Sequence, residues 1–187
     1  MTDIKLSAHF KLSEFCECDE EMWGDEVRNR NFDLARTEPY LTNIKTVCET
    51  ILEPVRRHFG NHVIILSGMR YSVWNRDEWE GLDYEIRRVR QKKAYQGVSQ
   101  HTEGEAVDFT VSSVPTRRVW EWLWQNSKHP FGQVIYEVEG RNSWVHASTP
   151  GKMANGDLIY GEVKQPYQDK TGRWYYKFVE RIDRWET

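Results

Sequence analysis

The sequence predicts an α+β protein, with a mainly antiparallel sheet packed with helices and a C-terminal β-hairpin. Three observations lead to this class: one long helical repeat, short apolar runs rich in β-branched residues, and strand pairs linked by turns in the C-terminal half. A chain of 187 residues is long enough to bury the core of one domain. We expect a main domain over residues 1–150, with residues 151–187 forming a β-hairpin extension packed on it.

The clearest helix is predicted over residues 37–59, where apolar side chains recur at three- and four-residue steps. Thr37 is a suitable N-cap, and Pro39 is tolerated in a first turn. Pro54 lies inside the pattern and predicts a kink or a break. Gly60 predicts the end of the helix.

Two strands and a second helix follow along the chain. The runs "HVIILSG" and "EAVDFTV" are short, apolar and rich in β-branched residues, which is typical of strands. The segment "VPTRRVWEWLWQNS" places Val119, Trp120, Leu123 and Trp124 on one side, as a helix does.

Two hairpins are predicted in the C-terminal half. The strands "FGQVIYEVE" and "SWVHAST" are joined by "GRN", a spacing that favours an antiparallel hairpin. The segments "DLIYGEVKQPY" and "GRWYYKFVERIDRW" are split by "QDKTG" and predict the hairpin that ends the chain.

Composition narrows the range of partners. A net charge of -3 argues against nucleic acid, whose binding proteins usually carry a basic face. No apolar run approaches the roughly 18 residues of a membrane helix, so we expect no membrane partner. We also expect a monomer. The segment "MTDIKLSAHFKLSEF" lacks the pattern of a signal peptide, which predicts a cytoplasmic protein.

The sequence contains 9 Trp residues. They serve either to pack the protein or to form a platform that binds sugar rings or a partner.

The stretch "SQHTEGEAVDFT" carries a candidate metal site. His101 and Asp108 flank a turn in which Gly104 lets the backbone fold closely, just before a predicted strand. A catalytic zinc ion takes three protein ligands, and His146 on a neighbouring strand, in "SWVHAS", is the candidate for the third. A histidine near an aspartate is more often a simple hydrogen-bonded pair, so spacing alone leaves both interpretations open.

The same stretch resembles a family motif. "SQHTEGEAVDF" is similar to the Ser-x-His-x-x-Gly-x-Ala-x-Asp motif of the zinc D-alanyl-D-alanine peptidases. That group includes D-Ala-D-Ala carboxypeptidases and dipeptidases and the L-alanyl-D-glutamate endopeptidases of phage lysins, and Hedgehog signalling domains share its fold. The resemblance implies a Hedgehog/DD-peptidase-like fold, with residues 1–150 as a zinc peptidase-like domain.

Other motifs extend the resemblance over residues 9–148. "SGMRYSVWN" resembles the Ser-Gly-x-Arg element of the group, and "FGQVIYE…SWVHAS" resembles its closing strand pair. "HFKLSEF" and "ILEPVR" resemble segments of the branch found in phage genomes. Each motif is weak by itself, and their order and gaps make the set specific.

The resemblance implies one zinc ion, held by His101, Asp108 and His146. It also implies that Arg70 holds a carboxylate or carbonyl of the peptide, for which the planar guanidinium is suited. A structural ion pair is the alternative for Arg70.

The catalytic glutamate departs from the common pattern. Many members of the family place it three residues before the last histidine, where this chain has Ser143. Other branches place it at the end of the preceding strand, which matches Glu137. Glu139 lies on the same strand face as Glu137, so alternation along the strand does not separate the two. We expect Glu137 to be the catalytic base, with Glu139 as the alternative.

The implied function is a zinc metallopeptidase that cleaves peptidoglycan stem peptides, as a D-Ala-D-Ala carboxypeptidase or an L-Ala-D-Glu-type endopeptidase. The absence of a signal peptide suits a phage lysin released to the cell wall by a holin. The alternatives are a Hedgehog-like zinc-containing binding module and a phage structural protein, neither with hydrolytic activity.

Overall fold

The structure is a computed structural model that describes residues 3–16, 29, 31–70, 99–152, 158–171 and 174–182. Residues 71–75, the second part of the "SGMRYSVWN" motif, lie outside these ranges. Within them, helices pack against a mixed six-stranded sheet, so the predicted α+β class is confirmed. No helix in the described ranges is long and apolar enough to cross a membrane.

The predicted long helix is formed by two α-helices and a π-helical segment between them. The helices of the described ranges are α1 (Leu12–Cys16), α2 (Tyr40–Val47), α3 (Glu53–Phe59) and α4 (Thr116–Asn126), and residues 31–35 are also helical. The π-helical segment Cys48–Leu52 joins α2 to α3 without a break. The helix ends, as expected, at Gly60, which has the left-handed φ of 67°.

Two details of this helix differ from the prediction. Of the kink or break predicted at Pro54, the break does not occur, because the π-helical segment just before it widens the turn. There the N–H of Glu53 donates to the carbonyl of Cys48, five residues back. This wider turn makes room for the ring of Pro54, which has no N–H to donate. Thr37 is not the N-cap, since its hydroxyl donates instead to the carbonyl of Leu34 at 2.8 Å.

The main sheet brings together strands from both halves of the chain. Its strands are β1 (Val63–Ser67), β2 (Ala106–Val111), β3 (Gln133–Glu139), β4 (Asn142–Ser148), β7 (Glu162–Gln168) and β8 (Trp174–Arg181). The order is β1-β2-β4-β3-β7-β8. The predicted hairpin of β3 and β4 is confirmed, and all neighbours are antiparallel except β3 and β7. A small separate pair is formed by β5 (Gly151–Lys152) and β6 (Leu158–Ile159).

The C-terminal strands β7 and β8 pair as an antiparallel hairpin. The chain leaves β4, passes through β5 and β6, and enters β7 in the same direction as β3, which gives the sheet its parallel pairing. Gly161 sits just before β7 with a φ of 62°, and a side chain there would collide with the backbone of Ile182. This close approach joins the two ends of the hairpin, and the pairing of β7 with β3 attaches the hairpin to the main sheet, which it extends by two strands.

The two faces of the sheet differ in character because side chains alternate along each strand. One face is apolar and fully buried, and it carries Val107, Phe109, Val134 and Val145. Helix α4 packs on this face, where the Trp120 indole donates to the carbonyl of Val134 at 3.2 Å.

The other face carries polar and charged residues. The strand register places Asp108, His146, Ile135, Lys164 and Phe178 in one row across β2, β4, β3, β7 and β8. Residues paired directly between neighbouring strands point to the same side of the sheet. We call this side of the sheet the site face.

Candidate metal centre

The three metal ligands predicted from the sequence come together on the site face. Asp108 and His146 are direct partners in the register of β2 and β4. His101 lies in the turn before β2, where Gly104, with a φ of 70°, donates its N–H to the carbonyl of His101. This tight turn folds His101 back over Asp108. The three side chains can hold a metal ion.

The ligand atoms form a nearly regular triangle. His101 Nε2 lies 3.2 Å from His146 Nδ1 and 3.3 Å from Asp108 Oδ1. His146 Nδ1 lies 2.8 Å from the same Asp108 oxygen. Atoms bound to a tetrahedral zinc ion at about 2.0–2.1 Å are about 3.3 Å apart. The residues therefore fit three corners of a zinc tetrahedron and leave the fourth corner open.

A backbone carbonyl fixes the tautomer of His101. Its Nδ1 lies 2.8 Å from the carbonyl oxygen of Gly68. Because a carbonyl oxygen only accepts, Nδ1 carries the proton and Nε2 presents its lone pair to the ligand triangle. A Cβ at Gly68 would lie 2.6 Å from the carbonyl oxygen of Phe15, so this position requires glycine.

The protonation states also suit metal binding. Burial lowers the pKa of His101, against the opposing effect of Asp108, so the imidazole is neutral near pH 7. Burial alone would raise the pKa of Asp108, but its interactions with His101 and His146 hold that pKa well below its ordinary value. The site therefore offers a metal ion an ionised carboxylate on Asp108 and an unprotonated nitrogen on His101.

Arg70 lies beside the ligands and contacts one of them. Its Nη2 donates to Asp108 Oδ2 at 2.5 Å, and its Nε donates to Ser67 Oγ at 2.9 Å. The guanidinium thus holds the carboxylate oxygen that is not part of the ligand triangle. The ion pair is the alternative role considered for Arg70, and the substrate-binding role stays a prediction.

Glu137 lies on the site face next to the ligands. In β3, Ile135 pairs directly with His146, and Glu137 is the next residue along on the same side. Burial raises the pKa of Glu137, the charge of Asp108 raises it further, and His146 opposes the change. Trp144 pairs with Glu137 in the register of β3 and β4. Its indole N–H makes no regular hydrogen bond with the described residues, but it lies close enough to lower the pKa of Glu137.

The other two candidates for the catalytic base lie less favourably. Glu139 is exposed and sits two residues farther from the row of His146, about 6.7 Å along the strand. Ser143 faces the opposite side of β4, where its hydroxyl donates to Thr116 Oγ1 at 3.0 Å. Of the three positions, Glu137 is the one that the fold brings beside the ligand triangle.

Sequence reasoning missed two contributors to this region. The carbonyl of Gly68 orients His101, and no side chain signals such a role. Tyr176 comes from the C-terminal hairpin, and the strand register places it on the site face, two residues from Phe178. Burial raises the pKa of Tyr176 to about 12, and the carboxylates of Glu137 and Asp108 add to the shift. The hairpin therefore reaches the neighbourhood of Glu137.

Comparison with protein-family models gives no match, and no curated protein or solved structure matches the chain at a significant level. The case for a function accordingly depends on the geometry of the site and on the motifs in the sequence.

Proposed function

We propose that this chain is a zinc-dependent metallopeptidase that cleaves peptidoglycan stem peptides, as a D-Ala-D-Ala carboxypeptidase or an L-Ala-D-Glu-type endopeptidase. The observation that carries the proposal is the convergence of His101, Asp108 and His146 with Glu137 beside them on one sheet face. The substrate class comes from the resemblance of the "SQHTEGEAVDF" stretch to the zinc D-alanyl-D-alanine peptidases, whose Hedgehog/DD-peptidase-like fold is part of the proposal.

Zinc is the metal that the donor set favours. Two imidazole nitrogens and one carboxylate oxygen at tetrahedral spacing are typical of catalytic zinc sites, which keep one position open. When bound, zinc lowers the pKa of water at the open position and polarises the carbonyl of the substrate.

Glu137 is suited to move the proton in this reaction. A general base works best when its pKa lies near the working pH, and burial moves the pKa of Glu137 in that direction. Its carboxylate accepts a proton from the attacking water and then donates it to the leaving amine of the peptide. Both transfers occur on the site face, where Glu137 and His146 point to the same side.

Arg70 contributes in two ways. It holds Asp108 Oδ2, which keeps Oδ1 directed toward the two histidines. The side chain is also 48% exposed, and a guanidinium has five N–H donors, of which the bonds to Asp108 and Ser67 use two. Among the described residues the remaining donors have no partner, so they can hold a carbonyl or carboxylate of the peptide, which orients the scissile bond.

The proposal includes a monomer that is made in the cytoplasm and reaches the wall through a phage holin. Its test is digestion of purified peptidoglycan by wild type and His146→Ala, with the products identified by mass spectrometry. Release of free D-alanine identifies a carboxypeptidase, and a new amino terminus inside the stem identifies an endopeptidase. We expect no products from His146→Ala. A wild type that holds zinc but releases nothing from several wall types contradicts the proposal and favours a binding module or a structural protein.

A further inference from the structure

The site face does not end at the metal ligands. The row that contains Asp108 and His146 continues through Lys164 to Phe178 on the outermost strand. Three strand spacings separate His146 from Phe178, which is about 14 Å. Tyr176 is two residues from Phe178 on the same side of β8. The hairpin thus adds two aromatic side chains to the face that holds the candidate centre.

These aromatic side chains are exposed. Tyr176 is 44% exposed and Phe178 is 54% exposed, so both rings offer apolar surface to a ligand on the site face. The register of β3, β7 and β8 places Tyr176 on the same side of the sheet as Glu137, two residues along from the row of Phe178, and the charge of Glu137 raises the pKa of Tyr176. The exposed surface is therefore continuous with the neighbourhood of the catalytic glutamate.

Polar groups line the same surface. The ammonium of Lys164 lies 4.8 Å from the centre of the Phe178 ring and 2.7 Å from Glu162 Oε2. The side-chain amide of Gln133 donates to the same carboxylate at 2.7 Å. Aromatic rings beside a chain of hydrogen-bonding groups match a ligand that has both apolar faces and hydroxyl edges.

We propose that Tyr176 and Phe178, with Lys164, form a binding subsite for the N-acetylated aminosugar chain of the cell wall. The inference rests on the proposed function, since a stem peptide at the metal centre is attached to such a chain. A sugar ring presents apolar C–H groups to an aromatic face, while its hydroxyl and acetamido groups reach the neighbouring polar side chains. The subsite would hold the polysaccharide while the peptide lies toward Glu137.

The same strand provides a matched control. Tyr175 is also 44% exposed, but it points to the opposite side of β8, where its ring lies 5.0 Å from that of Tyr167. Tyr175→Ala removes an equally exposed ring from the same strand without touching the site face. A comparison with Tyr176→Ala and Phe178→Ala therefore separates an effect of the site face from a general effect of losing an exposed ring on β8.

The test measures binding of the N-acetylglucosamine tetramer, which carries no stem peptide, to the full chain by calorimetry. We expect Tyr176→Ala and Phe178→Ala each to weaken binding by about three- to tenfold. Tyr175→Ala should leave the affinity unchanged. Thermal unfolding of each variant verifies that it is folded.

Two results would overturn the subsite. One is no binding of the tetramer at about 10 mM, and the other is an equal loss from Tyr175→Ala and Phe178→Ala. A monomer–dimer equilibrium that is lost in Phe178→Ala would assign the face to a second copy of the chain instead. Tetramer binding without any digestion of peptidoglycan contradicts the proposed function alone. Digestion without tetramer binding contradicts this inference alone.

Discussion

We expect zinc to raise the thermal stability of the metal-free chain, and His146→Ala to remove most of this gain. The three ligand atoms already lie 2.8 to 3.3 Å from one another, so zinc binding needs little rearrangement of the fold. The unfolded chain holds no such preformed triangle. Zinc should therefore bind the folded state preferentially and stabilise it by mass action.

The size of the effect follows from binding linkage. Free zinc at about 1,000 times its dissociation constant stabilises the folded state by about 4 kcal/mol. In a chain of this size each kcal/mol changes the midpoint of thermal unfolding by about 2–4 °C, so the wild type should gain about 8–16 °C. His146→Ala leaves a nitrogen and an oxygen ligand, which bind zinc far more weakly.

The assay is thermal unfolding followed by circular dichroism, on chelator-treated protein with and without added zinc. His129→Ala is the matched control, because His129 is exposed and lies outside the ligand triangle. It should retain the full gain of the wild type. An equal gain in His146→Ala and the wild type would refute the assignment of the ligands, as would a wild type that zinc leaves unchanged.

Three further predictions concern the surroundings of the site and the fold. Gly68→Ala should destabilise the chain by about 1–3 kcal/mol and weaken zinc binding. Gly140→Ala, with open space around the glycine, should leave zinc affinity intact. Equal zinc affinity in both variants, measured by chelator competition, would contradict this. Arg70→Ala should lower zinc affinity by about 10–100-fold because it leaves Asp108 unoriented; an unchanged zinc affinity with a raised KM would make Arg70 a substrate ligand only. Burial alone would raise the pKa of Glu53, but hydrogen bonds from its neighbours lower it, so its stabilising effect is present above about pH 4.5 and lost as pH falls through the folded-state pKa. Glu53→Gln should therefore cost about 1–2 kcal/mol near pH 7 and progressively less in acid, and a cost independent of pH in urea unfolding would contradict this.

Much of the fold was predictable because local patterns determined it. The β-branched runs that became β1 and β2, and the turn between β3 and β4, are signals contained within a few residues. The parallel pairing of β3 and β7 was not predicted, since it depends on where the chain goes after β4. The π-helical turn that carries the helix through Pro54 without a break was not predicted, because residue propensities do not signal it.

The candidate site was likewise predictable from the sequence only in part. His101 and Asp108 share one short stretch, and His146 was the candidate third ligand on a predicted neighbouring strand. Spacing alone left a hydrogen-bonded pair as the alternative, and it was the family resemblance that implied the full set. Alternation could not separate Glu137 from Glu139, because only packing shows which carboxylate is buried. The contact of Arg70 with Asp108 joins residues 38 positions apart and is a property of the folded chain.

The most direct test of the catalytic site compares Glu137→Gln with Glu139→Gln in zinc content and in digestion of peptidoglycan. We expect both variants to hold one zinc ion per chain, since neither residue belongs to the ligand triangle. Glu137→Gln should lose digestion by at least about 100-fold, while Glu139→Gln should digest like the wild type. A Glu137→Gln variant that binds zinc and digests peptidoglycan at the wild-type rate would contradict the assignment of Glu137 as the base.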